Sequence, residues 1–196
     1  MRLMKEALKR ILYRPFGVAF GERSFIRRPF TIVGRGHIRI GSRTSILPHL
    51  YIHAITHYAG VDYQPRIEIG DDVYVGAHAY LTAIGRISIG DGCVLSDYVY
   101  ITDEIHGNDP RAGLIMQQPL SSKGPVIIGP GCFIGFRAAV MPGVMLGEHC
   151  VVGANSTVTR SFPAYSMIGG SPARLLKCFS FEAGAWVVPP DANKSI

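Results

Sequence analysis

The sequence predicts an all-β chain wound into triangular coils, and three observations predict it. Aliphatic residues recur every six positions, most clearly at Ile128, Ile134, Val140, Leu146, Val152, Val158 and Ala164. A second column of small or apolar residues lies four positions after the first, at Val73, Ala79, Cys93, Val99, Cys132, Ala138, Val144, Cys150 and Ser156. Glycine directly follows many first-column residues, at Gly41, Gly70, Gly76, Gly90, Gly129, Gly135, Gly147 and Gly153. Two inward positions in six match neither the 3.6-residue helical period nor strand alternation. They fit a short strand plus a tight turn, three of which close one coil of about 18 residues that stacks on the next.

The elements follow in order. Residues 1–29 read as a basic arm. Leu3, Met4, Ala7, Leu8, Ile11 and Leu12 recur at helical spacing among Lys5, Lys9, Arg10 and Arg14, so the first turns are expected to form a basic amphipathic helix. That helix suits either an anionic membrane surface, through residues 1–14, or its own domain. The repeat begins faintly at Ile40 and Ile46, continues through Ile69, Val75 and Leu81, then Ile89, Leu95 and Ile101, and fills residues 30–177. From Ile101 to Ile128 is 27 residues, which is not a multiple of six, so residues 106–125 are expected to leave the coil as an extruded loop. Residues 178–196 remain as a short C-terminal cap.

Composition agrees with this organisation. Gly 23 and Pro 13 are abundant and charged residues make up only 17%, as suits many short strands and turns. The net charge of +6 is uneven: residues 1–43 carry 11 Lys or Arg against Glu6 and Glu22, and the rest carries 9 against 12 acids. The N-terminal stretch is broken by charges too often for the apolar core of a signal peptide, so a cytoplasmic protein is expected, with peripheral contact at the inner membrane surface through the arm. Cys93, Cys132, Cys150 and Cys178 lack metal-finger or CxxC spacing. Three of them fall in the inward column, where a thiol behaves as a small hydrophobe. Neither a metal nor a nucleic-acid partner is expected.

The stretch VIIGPGCFIGFRAAVMPGVMLGEHCVVGANSTVTRSFPAYSMIGGSPARLLK resembles the hexapeptide-repeat acyltransferases, which fold as left-handed parallel β-helices. The left hand comes from that resemblance alone, since chirality rules favour right-handed parallel crossovers. YITDEIHG, followed by PLSSKGPVIIG, is similar to the lipopolysaccharide and exopolysaccharide O-acetyltransferases, and more distantly to the maltose and galactoside acetyltransferases. The resemblance implies that His106, which opens the loop, is the general base. It also implies that acetyl-CoA is the acyl donor and that the protein is a homotrimer with a glycan or sugar acceptor. The chemistry agrees, because acetyl transfer needs a group that accepts the hydroxyl proton, and neutral imidazole does so near pH 7.

The galactoside enzymes place an asparagine near this base, and the matching stretch here, VGAHAYL, has none. His78, Asp97 and Asp103 are the candidate orienting residues. The family's CoA contacts carry over to Phe136 and Ala154 at the turns, to Thr159 and Arg160, and to Arg174 and Lys177 of GGSPARLLK, where cations would meet phosphate oxygens. Phe136 replaces a small residue and Phe133 a common tryptophan, which affects the groove's width. The expected activity is therefore O-acetylation of a sugar hydroxyl in cell-surface polysaccharide or lipopolysaccharide synthesis. The alternative is N-acetylation of a nucleotide-linked amino sugar or an antibiotic-type substrate.

Overall fold

A computed structural model describes residues 17–189. Within them the chain winds into a three-sided prism of parallel strands. The first face is six-stranded, from Ala19–Phe20 through Ile38–Ile40, Arg66–Ile69, Arg86–Ile89 and Val126–Ile128 to Met145–Leu146. The second has nine strands, beginning with Phe25–Ile26, Ser45–Ile46, Tyr74–Val75, Val94–Leu95, Phe133–Ile134 and Val151–Val152. The third is six-stranded, from Thr31–Val33 through Tyr51–Ala54, Tyr80–Ala83, Tyr100–Thr102 and Ala139–Val140 to Thr157–Val158. Strands this short persist because each pairs with the coil before and after it, so backbone hydrogen bonds run along the prism.

Both sequence columns point inward. All nine residues of the second column are buried, and so are the first-column residues from Ile40 to Val158. They form one continuous core in which each aliphatic side chain contributes about 2 kcal/mol by leaving water. Glycine follows the first column because successive coils approach closely there. A Cβ on Gly129 would lie 2.7 Å from the Glu148 amide nitrogen, and one on Gly90 would lie 2.6 Å from Pro130 nitrogen. The three cysteines stack in file, each thiol donating to a carbonyl one coil on: Cys93 to Gly129 (3.1 Å), Cys132 to Gly147 (3.1 Å) and Cys150 to Pro163 (3.2 Å). Lying between the Cys150 and Cys93 sulfurs and away from water, Cys132 is held as a thiol.

The structure corrects the expectations in four places. The coil of 18 residues holds only for Ile127 to Met145, Phe133 to Val151 and Ala139 to Thr157; the pairing of Tyr74 with Val94 spans 20, as does that of Tyr80 with Tyr100. The two extra residues lengthen the strands flanking the corner between the third face and the first, to four residues each at Tyr80–Ala83 and Arg86–Ile89, and leave the inward columns in phase. Ala164 is not an inward residue. The last coil loses two residues after Val158, so Phe162, 6% exposed, bridges to Leu146 and fills that position. Among the described residues the first strand of the coil is Ala19–Phe20, ahead of residue 30, and the antiparallel strand that ends the coil starts at Ala173, ahead of residue 178. The strands Ala173–Ser180 and Ala185–Val187 run antiparallel on the second face. The expected amphipathic helix lies outside the described residues.

The corners between faces are built by residues in the left-handed region. His78 (φ 58°), Tyr98 (φ 60°), Arg137 (φ 56°) and Asn155 (φ 56°) turn successive coils from the second face to the third. Corner amides that miss a backbone carbonyl receive a carboxylate instead. Ser42 donates to Asp71, Asp71 to Asp91 and Ala77 to Asp97, each at 2.7 Å.

Candidate active site

Among the described residues the chain leaves the prism twice, and both excursions depart from the corner between the third face and the first. The first follows Tyr51–Ala54 and folds into a small antiparallel hairpin, His57–Tyr58 with Val61–Asp62, closed by a 2.6 Å contact between His57 Nδ1 and Asp62 Oδ1. The second follows Tyr100–Thr102 and returns at Val126. In it Ile105–His106 pairs antiparallel with Leu120–Ser121, and His106 stands opposite Leu120. The buried side chain of Gln118 ties the loop together by accepting from the Asp109 amide (3.0 Å) and donating to the carbonyls of Asp109 (3.0 Å) and Gly113 (3.1 Å).

Asp103 marks the departure point. Because the chain leaves the coil there, the amides of Ile84 and Gly85 in the coil behind lack the usual carbonyl partners. The Asp103 carboxylate takes their place at 2.8 and 2.9 Å. Burial pushes this carboxyl above its ordinary range, against the pull of the amides.

The two hairpins brace each other. Tyr63 donates to the Leu120 carbonyl (3.0 Å), and Tyr58 donates to the Met116 carbonyl (2.9 Å). The Tyr58 ring meets the His106 imidazole edge-on at 5.5 Å between centroids. Beneath them Ile55, Ile84 and Leu120 form a separate buried cluster with Tyr58 and Tyr63 packed against it. An exposed imidazole thus sits on a two-stranded support held from the side by a second one. Neither Tyr58 nor the 56–63 hairpin was expected. The only sequence signal was the irregular step from Ile46 to Ile69, 23 residues and likewise not a multiple of six.

None of the three candidate orienting residues touches His106 among the described residues. His78 is at the corner between the second and third faces, its ring stacked between His49 and Tyr98 at 4.6 Å from each. Asp97 serves the Ala77 amide at that same corner, and Asp103 serves Ile84 and Gly85. The residue in ring contact with the imidazole is Tyr58.

Beside the departure point the third face carries a grid of outward polar side chains. Tyr51 pairs in register with Tyr80 and Tyr80 with Tyr100; His53 pairs with Thr82 and Thr82 with Thr102. Tyr51 and Tyr80 stack at 4.1 Å. Thr82 donates to Thr102 (2.9 Å) and reaches Glu104 (3.2 Å). Burial pushes the phenol of Tyr80 up and the imidazole of His53 down.

The expected CoA contacts fall on separate edges of one chain. Phe136 and Ala154 stack in consecutive coils at the corner between the second and third faces. Phe136 is 41% exposed, lies edge-on to Tyr98 at 5.7 Å and has the Arg137 guanidinium 5.0 Å above its ring. Thr159 and Arg160 are exposed at the corner from which the His106 loop departs, two coils further on, with Arg160 5.2 Å from the Phe162 ring. Arg174 and Lys177 are exposed on the capping strand, opposite Gly169 and Met167. Among the described residues no carboxylate forms an ion pair with Arg160, Arg174 or Lys177, and no group of three His, Cys, Asp or Glu gathers as a metal site.

These repeats and the extruded loop define an acyltransferase class. A family described as the hexapeptide repeat of succinyl-transferase matches residues 66–103 and 125–160. The chain carries these hexapeptide repeats, has the left-handed parallel β-helix fold and resembles the hexapeptide-repeat acyltransferases. It is 29% identical over 193 residues to WbbJ of Escherichia coli K12, whose name provisionally assigns it lipopolysaccharide biosynthesis O-acetyl transfer; the match covers 95% of this chain and 91% of WbbJ. It is 31% identical over 117 residues to WcaF of the same organism, provisionally a colanic acid biosynthesis acetyltransferase, covering 60% of this chain and 61% of that protein. Among solved structures, a variant of the N-acyltransferase AntD from Bacillus cereus, in complex with dTDP-4-amino-4,6-dideoxyglucose and Coenzyme A, superposes with a TM-score of 0.71. It is 21% identical, and the superposition covers 91% of each chain.

Proposed function

We propose that this protein transfers an acetyl group from acetyl-CoA to a sugar hydroxyl during assembly of cell-surface polysaccharide or lipopolysaccharide, with His106 as general base. The observation that carries the reading is the exposed His106 imidazole, fixed on an extruded hairpin and braced by Tyr58. The WbbJ likeness, which runs nearly the full length of both chains, supports the substrate class.

The neutral imidazole accepts the proton of the acceptor hydroxyl as its oxygen attacks the thioester carbonyl. Collapse of the tetrahedral adduct forms the ester and breaks the C–S bond, and the imidazolium returns the proton to the departing CoA sulfur. Transfer is direct, because the buried Cys93, Cys132 and Cys150 offer no exposed nucleophile. Arg160, Arg174 and Lys177, exposed and without carboxylate partners, suit the donor's phosphates, and Phe136 suits its apolar arm.

The distribution of these residues over separate edges supports a homotrimer in which His106 of one subunit faces donor contacts of the next. The second face offers the apolar stripe for closure: Tyr74, Val94 and Phe133, 41%, 37% and 42% exposed, lie in register with Val151 and Met167. A second reading, N-acylation of an amino sugar, draws on Glu104. This half-buried carboxylate lies two residues from His106, has no cationic partner among the described residues, and suits an ammonium group.

The test is acetyl-CoA turnover against a panel of glycans, with His106→Ala as the decisive variant. Loss of about 10²–10⁴-fold at unchanged thermal stability is expected. Turnover close to the starting protein would remove His106 from the mechanism. Mild alkali releases acetate from an ester product and leaves an amide intact, which separates the two acceptor classes.

A further inference from the structure

The fold converts the charge skew of the sequence into a spatial one. Residues 17–43 make the first coil and open the second, at one end of the prism. An arginine stands at each of the three corners there: Arg23 between the first and second faces, Arg28 between the second and third, and Arg35 between the third and the first. Arg27 adjoins Arg28, and Arg39 projects from the strand Ile38–Ile40. All five are exposed.

Among the described residues none of the five has a carboxylate within ion-pair distance. Their neighbour Arg43 does, with Asp71 and Asp72, and so do Arg66, Arg86 and Arg111 further along. Phe30, 74% exposed, lies at the same end. Beyond residue 43 the chain carries 9 basic against 12 acidic residues. The prism therefore has one cationic end and a slightly anionic shaft.

We propose that this arginine collar is a docking surface for an anionic lipid bilayer. Cations at the three corners of the first coil stand at about one level along the prism, an arrangement that matches a charged plane better than a groove-bound polymer. Arginine heads on long stems pair with lipid phosphates, and Phe30 is placed to enter the interfacial layer. The collar is separate from residues 1–14, whose basic pattern adjoins it in sequence. Docked in this way, the prism stands upright. The His106 loop then leaves from the fourth coil, three strand spacings or about 14 Å from the first, at a fixed height above the surface; this last consequence rests on the reading of His106 given above.

Vesicle co-sedimentation of the full-length protein tests the collar without any turnover, so it stands or falls independently of the catalytic reading. Binding is expected to vesicles of 30% phosphatidylglycerol in phosphatidylcholine, weak binding to phosphatidylcholine alone, and release between 0.05 and 0.5 M NaCl. At about fivefold per arginine, a full-length variant carrying Arg23→Gln, Arg27→Gln, Arg28→Gln, Arg35→Gln and Arg39→Gln should partition about 3,000-fold less well. Its melting temperature and acetyl-CoA turnover should stay near those of the starting protein. Should the fivefold variant melt early, the pair Arg23→Gln and Arg28→Gln reads the same effect at about twenty-fivefold. Equal sedimentation of variant and starting protein, equal binding to both vesicle types, or capture by duplex DNA in preference to vesicles would each overturn the proposal.

Discussion

Tyr58 offers the sharpest test of the site, because it touches His106 without belonging to the reaction. Its hydroxyl donates to the Met116 carbonyl at 2.9 Å, and its ring meets the imidazole at 5.5 Å. Tyr58→Phe removes only the hydrogen bond, a loss of about 1 kcal/mol that lowers the population of correctly held His106 by at most about fivefold. Tyr58→Ala also removes the edge contact, which brings the loss to about 2 kcal/mol and the ceiling to about thirtyfold. These factors should appear in kcat, with KM for acetyl-CoA unchanged, because Tyr58 touches none of the donor contacts: Phe136, Ala154, Arg174 and Lys177 lie on other edges, and Thr159 and Arg160 lie two coils further along. Thiol release from acetyl-CoA under saturating acceptor measures both, and the melting temperature should move by only a few degrees. If Tyr58→Ala keeps full kcat while His106→Ala is inactive, the brace has no part in placing the base; if His106→Ala is itself active, the fault lies with the base.

Three further outcomes follow from the packing. Asp103→Ala strands the amides of Ile84 and Gly85 and should cost about 3 kcal/mol, seen as a fall in melting temperature of about 6–12 °C by differential scanning calorimetry. Phe162→Ala should cost about 3–5 kcal/mol in denaturant unfolding, whereas Ala164→Ser should be nearly neutral, since Phe162 and not Ala164 fills the last coil. His53, its imidazole depressed by burial, stays neutral in the fold to lower pH than in the unfolded chain. Its contribution is therefore complete above the ordinary value of 6.5 and declines as pH falls below it, so the melting temperature should drop between pH 7.5 and 5.5, and His53→Asn should flatten that slope.

The columns of the coil were legible because each inward position must fit against the same position one coil away, and such a constraint repeats in the letters themselves. The His106 loop was legible as a break in that repeat. What lies within a break obeys no period. The bracing of His106 by Tyr58 and Tyr63 depends on two loops separated by more than forty residues meeting at one corner, and no local pattern records that meeting. Asp97 and Asp103 looked like partners for a base because aspartate often is one. The structure gives both to backbone amides at corners, a role whose sequence signature is the same single letter. Ala164 stands where a strict six-residue period continues, but the last coil drops two residues, and the bulky Phe162 two positions earlier takes the inward place.

Both excursions open from one edge of the prism, and on either side of each the strands resume the pairing they would have had without it. Tyr51 still meets Tyr80 and Tyr100 still meets Ala139 across the detours. An edge of this kind is a place where length can change without a phase error. The barrel of coils carries stability and the edge carries chemistry, so the two can be altered separately. Replacing residues 107–119 by a short glycine-serine link should leave a folded, silent prism, and grafting another loop there would change what the same scaffold acts upon.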